Sequence, residues 1–216
     1  MPTDASYNPQ YFNDSVVVNG DLTAANSTGT LGRAILIQDD LKPFAVPLEE
    51  WVIFDAVHNR LPSAATSDDL GLITGTYGTA PNSIRSSDAK ATTVTQKMRR
   101  RVKMPAEYVD GQTVTLRIAA GMKTTKSDGT ATVDLSAYEI TDAGGLGGSP
   151  TDLVSTSATT INSLTAANVD FTIDPAGLAG GDEIDLLVTI AITDAATGTA
   201  VLGEIYKTTL LCDIKG

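Results

Sequence analysis

The side chains that could do chemistry are few and scattered along this chain. His58 is the single histidine, set beside Asn59 and Arg60. Any Ser/His/Asp relay would have to be built on it, yet no G-x-S-x-G turn supplies the nucleophile, and a surface or packed histidine is the plainer reading. Cys212 lies in the apolar run Leu210-Leu211-Cys212-Asp213-Ile214, where a small buried hydrophobe is expected. One Cys and one His cannot furnish the four ligands of a zinc site. Asp68-Asp69, Asp142, Asp182-Glu183 and Asp185 stand at or near turns, but none follows a calcium-ligand spacing. The Gly144 to Gly148 run lacks the Lys-Ser/Thr of a P-loop and does not fit G-x-G-x-x-G, so it reads as a loop. No catalytic, cofactor-binding or metal-binding residue is assigned, and the expectation is a protein that is not an enzyme.

The most unusual local chemistry is a basic stripe. Lys97, Arg99, Arg101 and Lys103 alternate with Met98, Val102 and Met104, so a strand here places four cations on one face. Arg100 is the exception and falls on the methionine side. Two readings are open. The cations pair with carboxylates of a neighbouring strand such as Asp134, or they meet an acidic partner, including the acidic half of an identical subunit through Asp182-Glu183-Ile184-Asp185. The net charge of -11 argues against a general nucleic-acid binder. After Lys126 only Lys207 and Lys215 face thirteen acidic residues, so charge is polarised along the chain.

Strands must position these groups. Hydrophobic residues make up 42% of the chain but aromatics only 5%, a composition suited to many thin strands. Val169, Phe171 and Ile173 alternate before a Gly/Pro-rich corner, and Ile184, Leu186, Val188, Ile190 and Ile192 alternate after it. The same plan occurs earlier: strand to Met104, a corner from Pro105 to Gly111, then Val114, Leu116, Ile118, Ala120 and Met122 in alternation. Further strands are predicted over 131–141, 153–161 and 199–214, with parity changes near Ala137-Tyr138 and Ile205-Tyr206 that suggest register shifts. About eight strands after residue 90, with no long helical period, point to an all-β fold, an antiparallel jelly-roll-like β-sandwich with an extended N-terminal arm.

The predicted organisation is an arm over 1–40, an apolar junction and loops over 41–92, and the sandwich over 93–216. The arm is polar apart from Val16, Val17 and Val18. Ile35 and Ile37, then Trp51 and Phe54, form apolar groups that could be buried between chains, although a satellite core under a long loop fits Trp51 and Phe54 equally well. With Lys97, Arg99, Arg101 and Lys103 they are the candidate interface residues. The N-terminus carries no secretory pattern, and no apolar run reaches the length of a membrane span, so a soluble protein made in a cytoplasm is expected.

The segment Val16-Val17-Val18-Asn19-Gly20-Asp21-Leu22-Thr23 resembles the N-G-D-L-T repeats of bacteriophage fibre proteins. The two corner units, Val102 to Val114 and Phe171 to Ile184, resemble those of β-sandwich virion proteins of tailed bacteriophages. The resemblance implies a capsid decoration protein or short head fibre, located in the virion. It also implies a homotrimer held by its arm to the major capsid protein or another virion protein. The rival from a different class is a carbohydrate-binding, lectin-like module that contacts cell-surface glycan, as a tail or receptor-binding protein does.

Overall fold

The computed structural model describes residues 41–56, 59–89, 91–124, 129–140, 151–194 and 200–215. Val16, Val17, Val18, Ile35 and Ile37, together with His58, Asp142 and the Gly144 to Gly148 run, lie outside the described residues. Ten strands follow one another among those described: β1 (Lys42–Val46), β2 (Gly71–Ile73), β3 (Ser83–Arg85), β4 (Thr93–Lys103), β5 (Val114–Met122), β6 (Gly129–Ile140), β7 (Thr159–Thr160), β8 (Ala167–Ile173), β9 (Glu183–Asp194) and β10 (Gly203–Cys212).

They form two antiparallel sheets. The first has the order β2-β3-β10-β5-β8, with β1 also paired to β10; the second has the order β4-β9-β6-β7. β1 and β3 pair with β10, β4 with β9, β5 with β8 and β6 with β7. The chain is thus folded back on itself as one long hairpin wrapped into two layers, which is the jelly roll.

The period of two explains which faces meet. Met98 on β4, the even-numbered run from Ile184 to Ile192 on β9, and Ala131, Val133, Leu135 and Ala137 on β6 are buried. They face Val114, Leu116 and Ile118 on β5, Val169, Phe171 and Ile173 on β8, and Ile205 and Leu210 on β10 within one hydrophobic core. Each such side chain, removed wholly from water, contributes roughly 1.5–3 kcal/mol. The parity change expected at Ile205-Tyr206 is a register shift between Ile205 and Lys207 against β5. The one expected at Ala137-Tyr138 is absent, because β6 pairs with β9 without interruption from Gly129 to Ile140. Tyr138 and Ile140 keep the strand's alternation and are half-buried on the outward face, so apolar character there marks a covered surface and not a bulge. The strand predicted over 153–161 is reduced to β7 and one bridge from Val154 to Ile173.

The two similar corners lie side by side. Met104 N–H donates to the Asp182 carbonyl at 2.7 Å, and Gly181 N–H donates back to the Met104 carbonyl at 3.2 Å. Gly111, held at φ 75° where a side chain would be strained, donates to the Leu178 carbonyl at 3.3 Å. Gly180 approaches so closely that a Cβ there would sit 2.6 Å from the Ala106 carbonyl oxygen. Tyr108 is fully buried beneath this layer and donates its hydroxyl to the Gln112 carbonyl at 2.5 Å. Burial, above all, pushes that phenol up to about 12.

Residues 41–92, expected as junction and loops, supply β1, β2 and β3 of the first sheet. Trp51 is correspondingly an internal residue. Its side chain is fully buried within the single chain, and its indole N–H donates to the Thr208 hydroxyl at 3.2 Å while Thr208 donates to the Val46 carbonyl at 2.5 Å. The apolar cluster considered for burial between chains is therefore core at Trp51, and Phe54 is half-buried under the Lys97 ammonium, 4.8 Å from the ring centroid.

Candidate functional site

The alternation of β4 turns Lys97, Arg99, Arg101 and Lys103 outward, and in the register with β9 they face Thr189, Leu187, Asp185 and Glu183 respectively. Asp185 therefore shares the outer face with the arginines. Arg99 grips it with its Nε, 2.7 Å from Oδ1, and with a terminal nitrogen on Oδ2. The hydrogen bond to Asp185 is the main reason the guanidinium of Arg99 lies above its ordinary value. Arg101 stands further off, with Nε at 3.8 Å from Asp185 and its side chain 58% exposed. Arg99 and Arg101 of the basic stripe are thus paired to a neighbouring strand of the same chain, through Asp185 where Asp134 was considered. Asp182, in the acidic turn considered for a second copy, accepts the Ala179 N–H at 2.6 Å through its carboxylate.

Four further residues join the arginines at the edge of β4. Val52 exchanges backbone hydrogen bonds with Arg99, at 3.0 and 2.9 Å, and bridges Arg60 on its other side. A short 3-10 turn, Leu48–Glu50, begun by Pro47 with Leu48 buried, carries Glu49 and Glu50 to the same place. Glu49, Glu50, Val52, Arg60, Arg99, Arg100 and Arg101 line a cleft of about 780 Å³, with four cations against two carboxylates on a protein whose net charge is -11.

Arg100 behaves differently from its neighbours. Its side chain is 16% exposed, Glu50 is its ion-pair partner, and its Nε is buried without a hydrogen-bond acceptor. Burial lowers the guanidinium below its ordinary value, opposed by the Glu50 charge. Glu50 itself is 56% exposed. Glu49 is held below the ordinary carboxylate range, chiefly by Asn82, whose amide donates to Glu49 Oε1 at 2.9 Å.

Asn82 connects the cleft to a second depression. Its carbonyl oxygen accepts the Gly75 N–H at 2.9 Å, closing a loop from Gly75 to Asn82 around an open hollow of about 550 Å³. Tyr77 on that loop is fully exposed, and with Leu164 it is one of two large hydrophobic residues exposed among those described. The loop bearing Tyr77 and the arginine cleft thus meet at the Asn82–Glu49 contact. On the outer face of the first sheet, Arg117 makes two hydrogen bonds of 2.7 Å to Asp170 beside a smaller hollow of about 170 Å³.

Cys212 is buried, and burial, then the Asp213 charge, pushes its thiol up to about 11. Asp69 is raised by burial first and then by Asp68 and Asp55, but no group of three or more metal-ligating side chains suited to an ion occurs among the described residues. Arg60, Arg100, Glu50 and Tyr77 were not singled out as site residues by sequence. For Arg100 the signal was present, a cation on the apolar side of a strand, whereas Arg60 reaches the site only through the pairing of Val52.

No family model matches the chain, and no curated protein matches it in sequence. Among solved structures it is similar to an arabinose-bound α-L-arabinofuranosidase, MgGH51, at 15% identity and TM-score 0.41, covering 82% of this chain and 26% of that one. It is also similar to the CBM22-1 xylan-binding domain from Paenibacillus barcinonensis Xyn10C, at 7% identity and TM-score 0.41, covering 82% and 96%. A third is the CBM22-1 and GH10 modules of Clostridium thermocellum endo-1,4-beta-D-xylanase 10B, at 14% identity and TM-score 0.39, covering 83% and 29%. The chain thus spans about a quarter of the two enzyme chains. The sandwich follows from the strand order itself.

Proposed function

We propose that this chain is a non-catalytic, glycan-binding β-sandwich. The observation that carries the reading is the Asn82–Glu49 contact, which joins the loop bearing the exposed Tyr77 to a cleft rich in hydrogen-bond donors. A sugar presents an apolar face and a rim of hydroxyls, and a site built from one flat ring and a few oriented polar groups is complementary to both. The cleft of about 780 Å³ lies within the size range of small-ligand sites. The bacteriophage resemblance supports a role in display: attached through residues 1–40, the sandwich would hold glycan from the surface of a particle.

The test is retention of the full chain on a panel of immobilised neutral and acidic polysaccharides, with Tyr77→Ala and Arg101→Ala beside it. Each substitution is expected to weaken the retained interaction by about tenfold, the worth of one good polar or stacking contact, with an unchanged circular dichroism spectrum. Absence of retention on every member of the panel overturns the proposal. Deleting residues 1–40 separates the display role, since particle attachment should be lost while glycan retention persists.

A further inference from the structure

We infer that the group taken by the arginine cleft is anionic, a sugar carboxylate that binds Arg100, Arg101 and Arg60 and displaces Glu50. This rests on the glycan reading above and specifies its chemistry.

The argument begins with donors that the fold leaves incomplete. Arg100 cannot shed its charge, and its buried Nε has no acceptor. A buried guanidinium with one N–H unmatched is unfavourable, and a planar carboxylate that meets the Nε and a terminal nitrogen together would relieve it. The carboxylate now paired with Arg100 comes from Glu50, more than half exposed, on a three-residue turn with no side-chain cap. Glu50 is thus an exposed placeholder. Arg101 has spare donors as well, because both oxygens of its nearest carboxylate, Asp185, already accept from Arg99. Arg60 is exposed and also lines the cleft. Three guanidinium groups with donors to spare therefore line one hollow, while Arg99, also on its wall, is committed to Asp185. A neutral sugar would use these donors one at a time, whereas a carboxylate uses them in pairs.

The probe is polygalacturonate, compared with its fully methyl-esterified form, which keeps the chain and removes the charge, and with dextran sulfate. Binding of the full-length protein is measured by titration calorimetry at physiological ionic strength. Polygalacturonate is expected to bind at least about tenfold more tightly than the ester, the difference of one bidentate charged contact. Arg101→Ala should remove that preference, and Arg117→Ala, on the other sheet, should leave it intact. Glu50→Gln should strengthen polygalacturonate binding by about threefold or more, since the competing carboxylate is gone.

Equal affinity for acid and ester would overturn this inference while leaving the glycan reading standing. Failure of the acid, the ester and every neutral glycan to bind would overturn both. Equal losses in Arg101→Ala and Arg117→Ala would show diffuse charge attraction and overturn the assigned site. Preference for dextran sulfate over polygalacturonate would overturn the carboxylate assignment in favour of a sulfate ester. Unchanged or weaker binding by Glu50→Gln would overturn the displacement of Glu50.

Discussion

Replacing Arg99 with methionine should destabilise the fold far more than replacing Arg101, although both belong to the same basic stripe. The Asp185 side chain is 11% exposed and Arg99 32% exposed, so their two-pronged pair is largely shielded from water. Charged hydrogen bonds contribute about 1.5–3 kcal/mol each, and deleting one partner also leaves the other's desolvation uncompensated. Arg101, at 3.8 Å and 58% exposed, can rescue little of this. The expected cost of Arg99→Met is therefore ~3 kcal/mol, or a fall of about 6–12 °C in melting temperature for a chain of this size. Arg101→Met should cost below about 1 kcal/mol. Adding Asp185→Asn to Arg99→Met should recover most of the loss, because the orphaned charge is removed. Urea unfolding at a common m-value is the assay. Equal midpoints for the two single variants would refute the reasoning. If Arg99→Met lowered the particle mass in light scattering and left the midpoint unchanged, the pair would be acting between copies.

Gly180→Ala should cost about 1–3 kcal/mol by thermal denaturation, since its new methyl group meets the Ala106 backbone and neither corner can retreat from the other. Trp51→Phe should cost about 1–2 kcal/mol through loss of the hydrogen bond to Thr208, with an unchanged elution volume in size exclusion, because the ring is internal to one chain. The buried Glu204 carboxyl supplies a pH dependence. Burial opposes its ionisation, but hydrogen bonds from Ser83, Tyr206 and Arg85 prevail and hold it below its ordinary 4.5. Its contribution is present above that value and is lost as pH falls through the depressed one, so Glu204→Gln should flatten the acid limb of the stability curve.

The strands that could be read from sequence are those whose two faces differ. β5, β8 and β9 bury one side and expose or half-expose much of the other, and the alternation of Val, Ile and Leu reports this directly. β1, β2 and β3 have five, three and three residues, too short for a period to emerge, and their place in the first sheet depends on β10 more than a hundred residues later. The stripe on β4 was legible as a face but not as a set of partners. Pairing Arg101 with Asp185 requires the β4–β9 register, and no local pattern gives a register across eighty residues. The cleft was less legible still. Arg60, Glu50 and Arg100 converge because Val52 adds itself to the edge of β4, an isolated bridge with no sequence signature. Tyr77 had only its type to mark it, since a lone tyrosine in a glycine-rich loop says nothing of its exposure.

β10 is the last strand of the sandwich to leave the ribosome, yet it lies inside the first sheet, bonded to β1 and β3 along one edge and to β5 along the other. None of those three can complete its ladder earlier. The hydrogen bond between Thr208 and Val46, 162 residues apart, has no local precursor. Contacts of such separation fold slowly and leave apolar strands exposed while they wait. The sandwich therefore closes only once β10 has been made, and a stop before residue 203 deletes the middle of a sheet, not a dispensable edge.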